Sequence, residues 1–460
     1  MTPLLHDILV AAGMGLIGAV LFSAIGLISG TDETTTIAPI TLLVVLLGVP
    51  PVGVFTFWLA SAVAKHMTHA IPTALLGIPG DTMAVPMMDQ ATTLRRLGAP
   101  HIALRKMVAA GLVSAAIAVP LSVGFALLLA PIGQSVEQAA PWLFLAAAVL
   151  ISYFSAGRFA SVLLLAPFVM LVVALRALTN DAGLHLSVTF FLGIAIGPLI
   201  ADLFSVMAPK QRDLMRRDGP RHLSIAADLK EWSGRFPNPF KVLEPLQVRW
   251  VAMMSAISSA TFVFSPVAMS VMLGEAVATR IRHPYQRLTT VLSVRNGVSE
   301  STYIAEAIIP LIAFGLPLSP VAAGPAAPLF NAPPRFFVDG VGGEIVNLHT
   351  LMSPLQFLGY GMLAVALAGL IAYPLAMNFA RAAAVFVSRR ISHEAIIATF
   401  VGLVLVIGLW EGGLLGLLVI LTMGLVGGLL NRIFGFNSGV QFMGYYVAVL
   451  SVPALVALAA

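Results

Sequence analysis

Residues 74–86 read ALLGIPGDTMAVP, with Gly77, Pro79, Gly80 and Pro86 crowded around Asp81. The chain that holds them is 59% hydrophobic and only 10% charged over 460 residues. A soluble domain carries roughly 25% charged residues, so this composition is that of an integral membrane protein. Backbone that leaves a helix at membrane depth needs partners from protein or from a wet cavity. The stretch therefore predicts a helix broken inside the membrane beside a polar interior. The expected fold class is an all-α polytopic membrane protein containing broken or re-entrant helices.

Working outward, apolar segments lie near 8–29, 37–64, 107–132, 141–156, 159–177, 185–207, 251–278, 351–376, 394–411, 412–431 and 440–458. Runs of about 20 apolar residues suit membrane helices, and about ten to twelve passes are expected. Two more stretches, 67–94 and 289–330, are apolar but rich in Pro, Gly and hydroxyl residues, and read as re-entrant hairpins or broken helices. The only long polar segment, 209–250, is basic and reads as a cytoplasmic linker. It separates an N-terminal membrane repeat, 1–208, from a C-terminal one, 251–460. The absence of cysteine excludes disulfides and thiolate sites. The net charge of +5 reflects orienting loop residues and calls for no nucleic acid. The N-terminal apolar run has no basic n-region and carries Asp7, so it reads as a first membrane segment rather than a signal peptide. A bacterial or archaeal inner membrane is the expected location.

The halves look related. IPTALLGIP at 71–79 matches IPLIAFGLP at 309–317, sharing I-P-x4-G-[IL]-P. Pro72, Gly77 and Pro79 map onto Pro310, Gly315 and Pro317 at one constant spacing. After the first motif come Arg95, Arg96, Arg105 and Lys106. After the second, Arg335 is joined by Asp339 and Glu344. The positive-inside rule places the first loop in the cytoplasm and the second outside. Equivalent loops on opposite sides predict two inverted-topology repeats, an arrangement of secondary transporters.

A helix restarting after each break would offer N–H groups and a positive dipole end to an anion. Gly77, Pro79, Gly80, Thr82, Gly315, Pro317 and Ser319 are thus candidate substrate-binding residues. Asp81 and Ser319 are also N-cap residue types at matching positions. Asp81 is read either as a cap or as a ligand for a coupling cation. A second polar island, 26-GLISGTDETTTIAPI-40, carries Asp32, Glu33 and Thr35, which are further ion-coupling candidates or an ordinary cap. Its counterpart in the second half is sought at 255-SAISSATFVFSP-266. In 295-RNGVSESTYIAE-306, Arg295, Glu300 and Glu306 are expected to pair with one another. Glu300 is a coupling candidate, and Ser301 and Thr302 offer oxygens to a substrate. In 65-KHMTH-69, His66 and His69 read as a boundary cluster of snorkelling charges or as a carboxylate or proton site. No complete metal set is evident there. Asp202 reads as interfacial, and Trp410 with Glu411 as a membrane-surface turn.

These stretches together, with 75-LLGIPGDTMAVPMMD-89, 297-GVSESTYIAEAIIPLIAFGLPL-318 and 427-GGLLNRIFGFNSGV-440, resemble the large membrane subunit of the tripartite tricarboxylate transporters. The resemblance covers most of the chain. It implies a permease for small carboxylates driven by Na+ or H+, with no other cofactor. It further implies a small membrane partner subunit, a periplasmic binding protein and an elevator-like motion. The chain departs from the family in carrying Asp32 and Glu33 at the first tip. It also has Leu318 and Ser319 after G-L-P, and lacks the paired asparagines between Gly297 and Pro310. Two other readings stand beside this one: a transporter or flippase for another anionic cargo such as a lipid-linked phosphate, and a membrane-embedded enzyme. The second lacks a nucleophile–base pair at recognisable spacing, so no enzyme is expected. Homo-oligomerisation is left open.

Overall fold

The computed structural model describes residues 3–155, 157–184, 186, 188–207, 209, 234–262, 264–330, 336–337, 345–346, 348–391 and 393–459. Most of the expected linker, the loop carrying Arg335, Asp339 and Glu344, and the side chain of Asp202 lie outside the described residues. The first half contains α1 (Pro3–Ile25), α2 (Glu33–Leu46), α3 (Pro51–Thr68), α4 (Met88–Arg96), α5 (Pro100–Leu129), α6 (Gly133–Phe154), α7 (Phe159–Asp181) and α8 (Val188–Met207). The second contains α9 (Pro245–Ser258), α10 (Pro266–Ala278), α11 (Pro284–Phe314), α12 (Pro320–Ala323), α13 (Pro354–Asn378) and α14 (Ala380–Arg390). It closes with α15 (His393–Phe434), α16 (Ser438–Tyr446) and α17 (Val452–Ala459). Among the described residues the one strand pairing is Phe336–Phe337 against Ile345–Val346. Seven helices are long and apolar enough to cross a membrane, and four shorter apolar helices accompany them. The chain is an all-α, multi-pass membrane protein.

Several boundaries differ from the sequence reading. The expected run 37–64 is two helices, parted at Gly48 (φ +75°). Pro51 then opens α3, where a missing N–H leaves no bond unmade. The run 251–278 is likewise two helices, α9 and α10, joined at the hydroxyl-rich stretch ending in Ser265, which caps α10. Helix α9 starts at Pro245, inside the expected linker. A capping box of Glu244 and Gln247 opens it, and Lys106 of α5 ties it down through Gln247 Oε1 (2.7 Å) and the Val242 carbonyl (2.8 Å). Residues 289–314 are not broken at all. They form the inner part of α11, which is buried along this length, so its polar side chains face protein rather than lipid. The break is confined to the residues from Gly315 onward. Near the C-terminus, α15 is interrupted at Gly412 and Gly413, where the surface turn was expected. Exposed Trp410 fits that turn. Glu411 does more, accepting from the Thr189 N–H at 2.6 Å and so closing the first turn of α8.

Packing divides into two apolar bodies. One gathers residues of α1, α3, α5, α9, α11 and α13. The other gathers α6, α7, α8, α15 and α16. In the second body α8 and α15 touch backbone to backbone, with no room for a Cβ on Gly428 against the Gly197 carbonyl. Two elements belong to both bodies. Helix α2 gives Ile37, Val44 and Val45 to the first and Ala38 and Leu42 to the second. The segment after the second break gives Val321, Ala322 and Ala326 to the first and Ala323 and Ala327 to the second. The polar island that leads into α2 and the segment after the second break therefore lie at the seam between bodies, while the first break packs through Leu75, Met83 and Ala84 in the first body.

Candidate functional site

The matched motif builds the same stop-and-restart twice. Helix α3 is continued by a π-turn, Pro72–Leu76, and stopped by Gly77 at φ +69°. Asp81 then opens a 3-10 turn, Thr82–Met87, accepting from the Ala84 N–H at 3.2 Å. Helix α11 is stopped by Gly315 at φ +62°. Ser319 opens α12, accepting from the Ala322 N–H at 3.0 Å. Gly77, Asp81 and Ala84 each stand as far from Gly315, Ser319 and Ala322 as the sequence motif requires. A left-handed residue with a Cβ costs about 1–2 kcal/mol. Gly77→Ala is expected to lose about that much in unfolding experiments, or more because the Arg95 side chain lies over Gly77. Gly124→Ala, at a helical position with open space around it, is the control and should be neutral or slightly stabilising.

The expected anion role of the restarting N–H groups is not met in this arrangement. The Ala84 and Ala322 N–H groups are occupied by the caps, and the Val321 N–H by Glu306 Oε2 at 3.1 Å. The protein's own oxygens have taken the positions an anion would need.

The first polar island folds directly onto the first break. The Ser29 hydroxyl donates to the Pro79 carbonyl (2.5 Å), and the Gly30 N–H to the Gly80 carbonyl (2.8 Å). Asp32 caps α2 through the Thr34 N–H (2.9 Å) and receives the Thr82 hydroxyl at 3.4 Å. The Thr35 hydroxyl donates back to the Asp32 carbonyl at 3.0 Å. Gly80 packs against His69 so closely that a Cβ would stand 2.5 Å from the His69 carbonyl.

Beneath this junction lies a buried cluster of ions. Lys65 Nζ lies 2.7 Å from Glu33 Oε1 and 2.7 Å from Asp81 Oδ2. His69 Nδ1 lies 2.8 Å from the same Asp81 oxygen. His66 lies between Glu300 (Nδ1 to Oε2, 2.8 Å) and Glu33 (Nε2 to Oε1, 3.4 Å). These side chains do not snorkel: Lys65 is 0% exposed and His66 4%. Three carboxylates at hydrogen-bond range hold the two basic residue types inward, where a lone charge would be costly. Tyr303 stands edge-on to His66, with centroids 4.6 Å apart, and stacks on Trp58. The Trp58 indole donates to the Pro325 carbonyl at 2.9 Å. Gly324 leaves room for a Cβ only 3.2 Å from the Thr34 hydroxyl. Through these contacts the loop after the second break reaches the cluster of the first.

The predicted residues thus fall into groups. Asp32, Glu33, Thr35, Gly77, Pro79, Gly80, Asp81 and Thr82 surround one junction, and His66 joins Glu300 to it. Gly315, Pro317 and Ser319 form the second break, where the Ser319 hydroxyl also donates to the Glu306 carbonyl at 2.8 Å. Ser301 is committed to Ser258 of α9 at 2.6 Å. Ser301→Ala should therefore lower stability by only about 0.6 kcal/mol, as interhelical hydroxyl pairs do, measured by unfolding in detergent. Thr302 is buried, and its hydroxyl has no partner among the described residues. Arg295, Glu300 and Glu306 do not pair with one another. At 3.6 residues per turn Glu300 projects about 120–140° from each of the other two, while Arg295 and Glu306 share a face but stand about 16 Å apart along the helix axis. Arg295 instead binds Glu275 and the Pro86 carbonyl. Lys65, Trp58, Tyr303 and Glu306 are the residues to which the sequence assigned no site role. For Lys65 a signal existed, because an ammonium within an apolar membrane helix requires a carboxylate partner.

Glu33, His69 and Asp81 present donor atoms within 4.8 Å of one another, as a metal site would. The Lys65 ammonium is already bonded to two of those donors. A second monovalent cation about 4 Å from it would be repelled by roughly 4 kcal/mol at an effective dielectric of about 20. An open cleft of about 730 Å³ lies elsewhere, bordered by Gln90, Glu275, Thr279 and Tyr285, and no residue of the ion cluster lines it.

The sequence profile of the Tripartite tricarboxylate transporter TctA family matches residues 13–438. The chain belongs to this family. No match was found among curated proteins or among solved structures. TctA membership makes the chain a component of a tricarboxylate transport system, and the tripartite character of that system implies partner subunits. Both breaks and the whole ion cluster fall within the residues matched.

Proposed function

We propose that this TctA protein is the permease subunit of a secondary active importer of small organic acids such as di- or tricarboxylates. It acts in the inner membrane of a bacterium or archaeon, driven by Na+ or H+. A small membrane subunit and a periplasmic binding protein complete the system. The observation that carries the reading is the pair of equivalent helix breaks, the second at the seam between two packed bodies and the first bonded to the polar island that leads into the seam helix α2, an arrangement in which transporters place substrate and ion sites. Their equivalence supports an inverted repeat. The seam that they adjoin supports an elevator-like movement of one body past the other.

Purified protein in detergent, heated with mono-, di- and tricarboxylates, tests the reading. A carboxylate that binds the folded state raises the unfolding midpoint by mass action. A saturable rise with one carboxylate class is expected. A rise with phosphate-bearing lipids and with no carboxylate would replace the organic-acid cargo with a lipid one.

A further inference from the structure

The ion cluster has the form of a cation site that the chain has filled with its own side chain. Glu33, Asp81 and His69 converge within 4.8 Å, and the group at their centre is the Lys65 ammonium, at 2.7 Å from each carboxylate. Lys65 is fully enclosed. Gly26, at the end of α1, packs so tightly on it that a Cβ there would stand 2.6 Å from the Lys65 carbonyl. Nearby polar side chains already hold hydrogen bonds. Asp32 accepts from the Thr34 N–H and the Thr82 hydroxyl, and the hydroxyls of Ser29, Thr35 and Thr36 donate to backbone carbonyls. A mobile Na+ that drew on Glu33 Oε1 and Asp81 Oδ2 would have to share them with a fixed positive charge.

We propose that Lys65 is a tethered counter-cation standing in the place of a coupling Na+, so that this permease binds its carboxylate without Na+. The inference rests on the transport reading above, and of the two coupling ions named there it removes Na+. It also makes Lys65 the residue that sets ion specificity. Removing its side chain leaves Glu33 and Asp81 facing each other, and a Na+ is then the natural replacement.

The test is thermal unfolding of the full-length purified protein across a NaCl series, with choline chloride holding ionic strength constant and KCl as a second comparison. The wild type is expected to unfold at the same temperature in Na+ and choline. Lys65→Ala is expected to be less stable in choline and to recover a few degrees with Na+, saturably. Adding Asp81→Asn to Lys65→Ala should abolish that recovery. A saturable, Na+-specific rise in the wild type would overturn the proposal, as would a folded Lys65→Ala protein indifferent to Na+. If Lys65→Ala does not fold, the wild type decides through its carboxylate affinity in the two salts. Equal affinities within about twofold support the proposal, and binding more than tenfold weaker in choline overturns it. If no carboxylate binds in either salt, the cargo reading fails, while the Na+ titrations still report on Lys65.

Discussion

Asp81→Ala should lower stability by about 3–5 kcal/mol, the usual cost of removing one partner from a buried ion pair. Three groups lose Asp81 together: His69 Nδ1, the Ala84 N–H and the Lys65 ammonium, which is left with Glu33 alone. None reaches solvent to recover the loss, since Lys65 and His69 are buried. Asp81→Asn keeps an oxygen for the Ala84 N–H and should recover the capping share, about 1 kcal/mol, while still losing the charge. Asp32→Ala is the comparison. Asp32 is half-buried and acts chiefly as the cap of α2, so about 1 kcal/mol is expected there. Unfolding midpoints of the three variants in one detergent decide the matter. An Asp81→Ala protein no weaker than Asp32→Ala would mean that the Lys65 ammonium does not depend on Asp81.

How far the sequence reveals this site depends on the range of each interaction. The breaks are legible because their chemistry is local. Gly77 and Gly315 must take positive φ, and Asp81 and Ser319 cap N–H groups three residues on, so the fourteen residues 71–84, and their counterparts 309–322, carry most of the geometry. The ion cluster is not local. Lys65 meets Glu33 across an intervening helix and turn, and His66 meets Glu300 from the other half of the chain, so no spacing within 65-KHMTH-69 could name those partners. Helix α11 misled for the opposite reason. Gly297, Ser299, Ser301 and Thr302 look like breakers, yet in a helix enclosed by protein Ser301 bonds Ser258 of α9 and Gly297 lets Ser114 of α5 approach closely. The turn at Gly48–Pro51 was legible but smoothed over, because a long apolar run hides two prolines when only hydrophobicity is counted.

Glu306 anchors the second break as Asp81 anchors the first, by a different chemistry. Its Oε2 accepts from the Val321 N–H, its backbone carbonyl accepts from Ser319, and it is fully buried. Among the described residues no Lys, Arg or His lies within ion-pair distance of it, and its Oε1 has no partner. Its structural task is therefore that of a hydrogen-bond acceptor rather than an ion-pair partner, and the two natural substitutions should separate. Glu306→Ala leaves the Val321 N–H buried and unpaired, about 1–3 kcal/mol, and opens a cavity besides. Glu306→Gln supplies an oxygen at the same reach, loses no ion pair, and should stay within about 1 kcal/mol of the wild type. Amide hydrogen exchange over residues 319–330 gives the second reading, because a released N–H frees the α12 segment locally before the whole protein unfolds. Faster exchange there in Glu306→Ala, with Glu306→Gln matching the wild type, would identify the side chain as the tie between α11 and the arm that follows it. Equal damage from both substitutions would mean that the carboxylate's charge is what holds the second break. The two breaks would then share an ionic design despite their different caps.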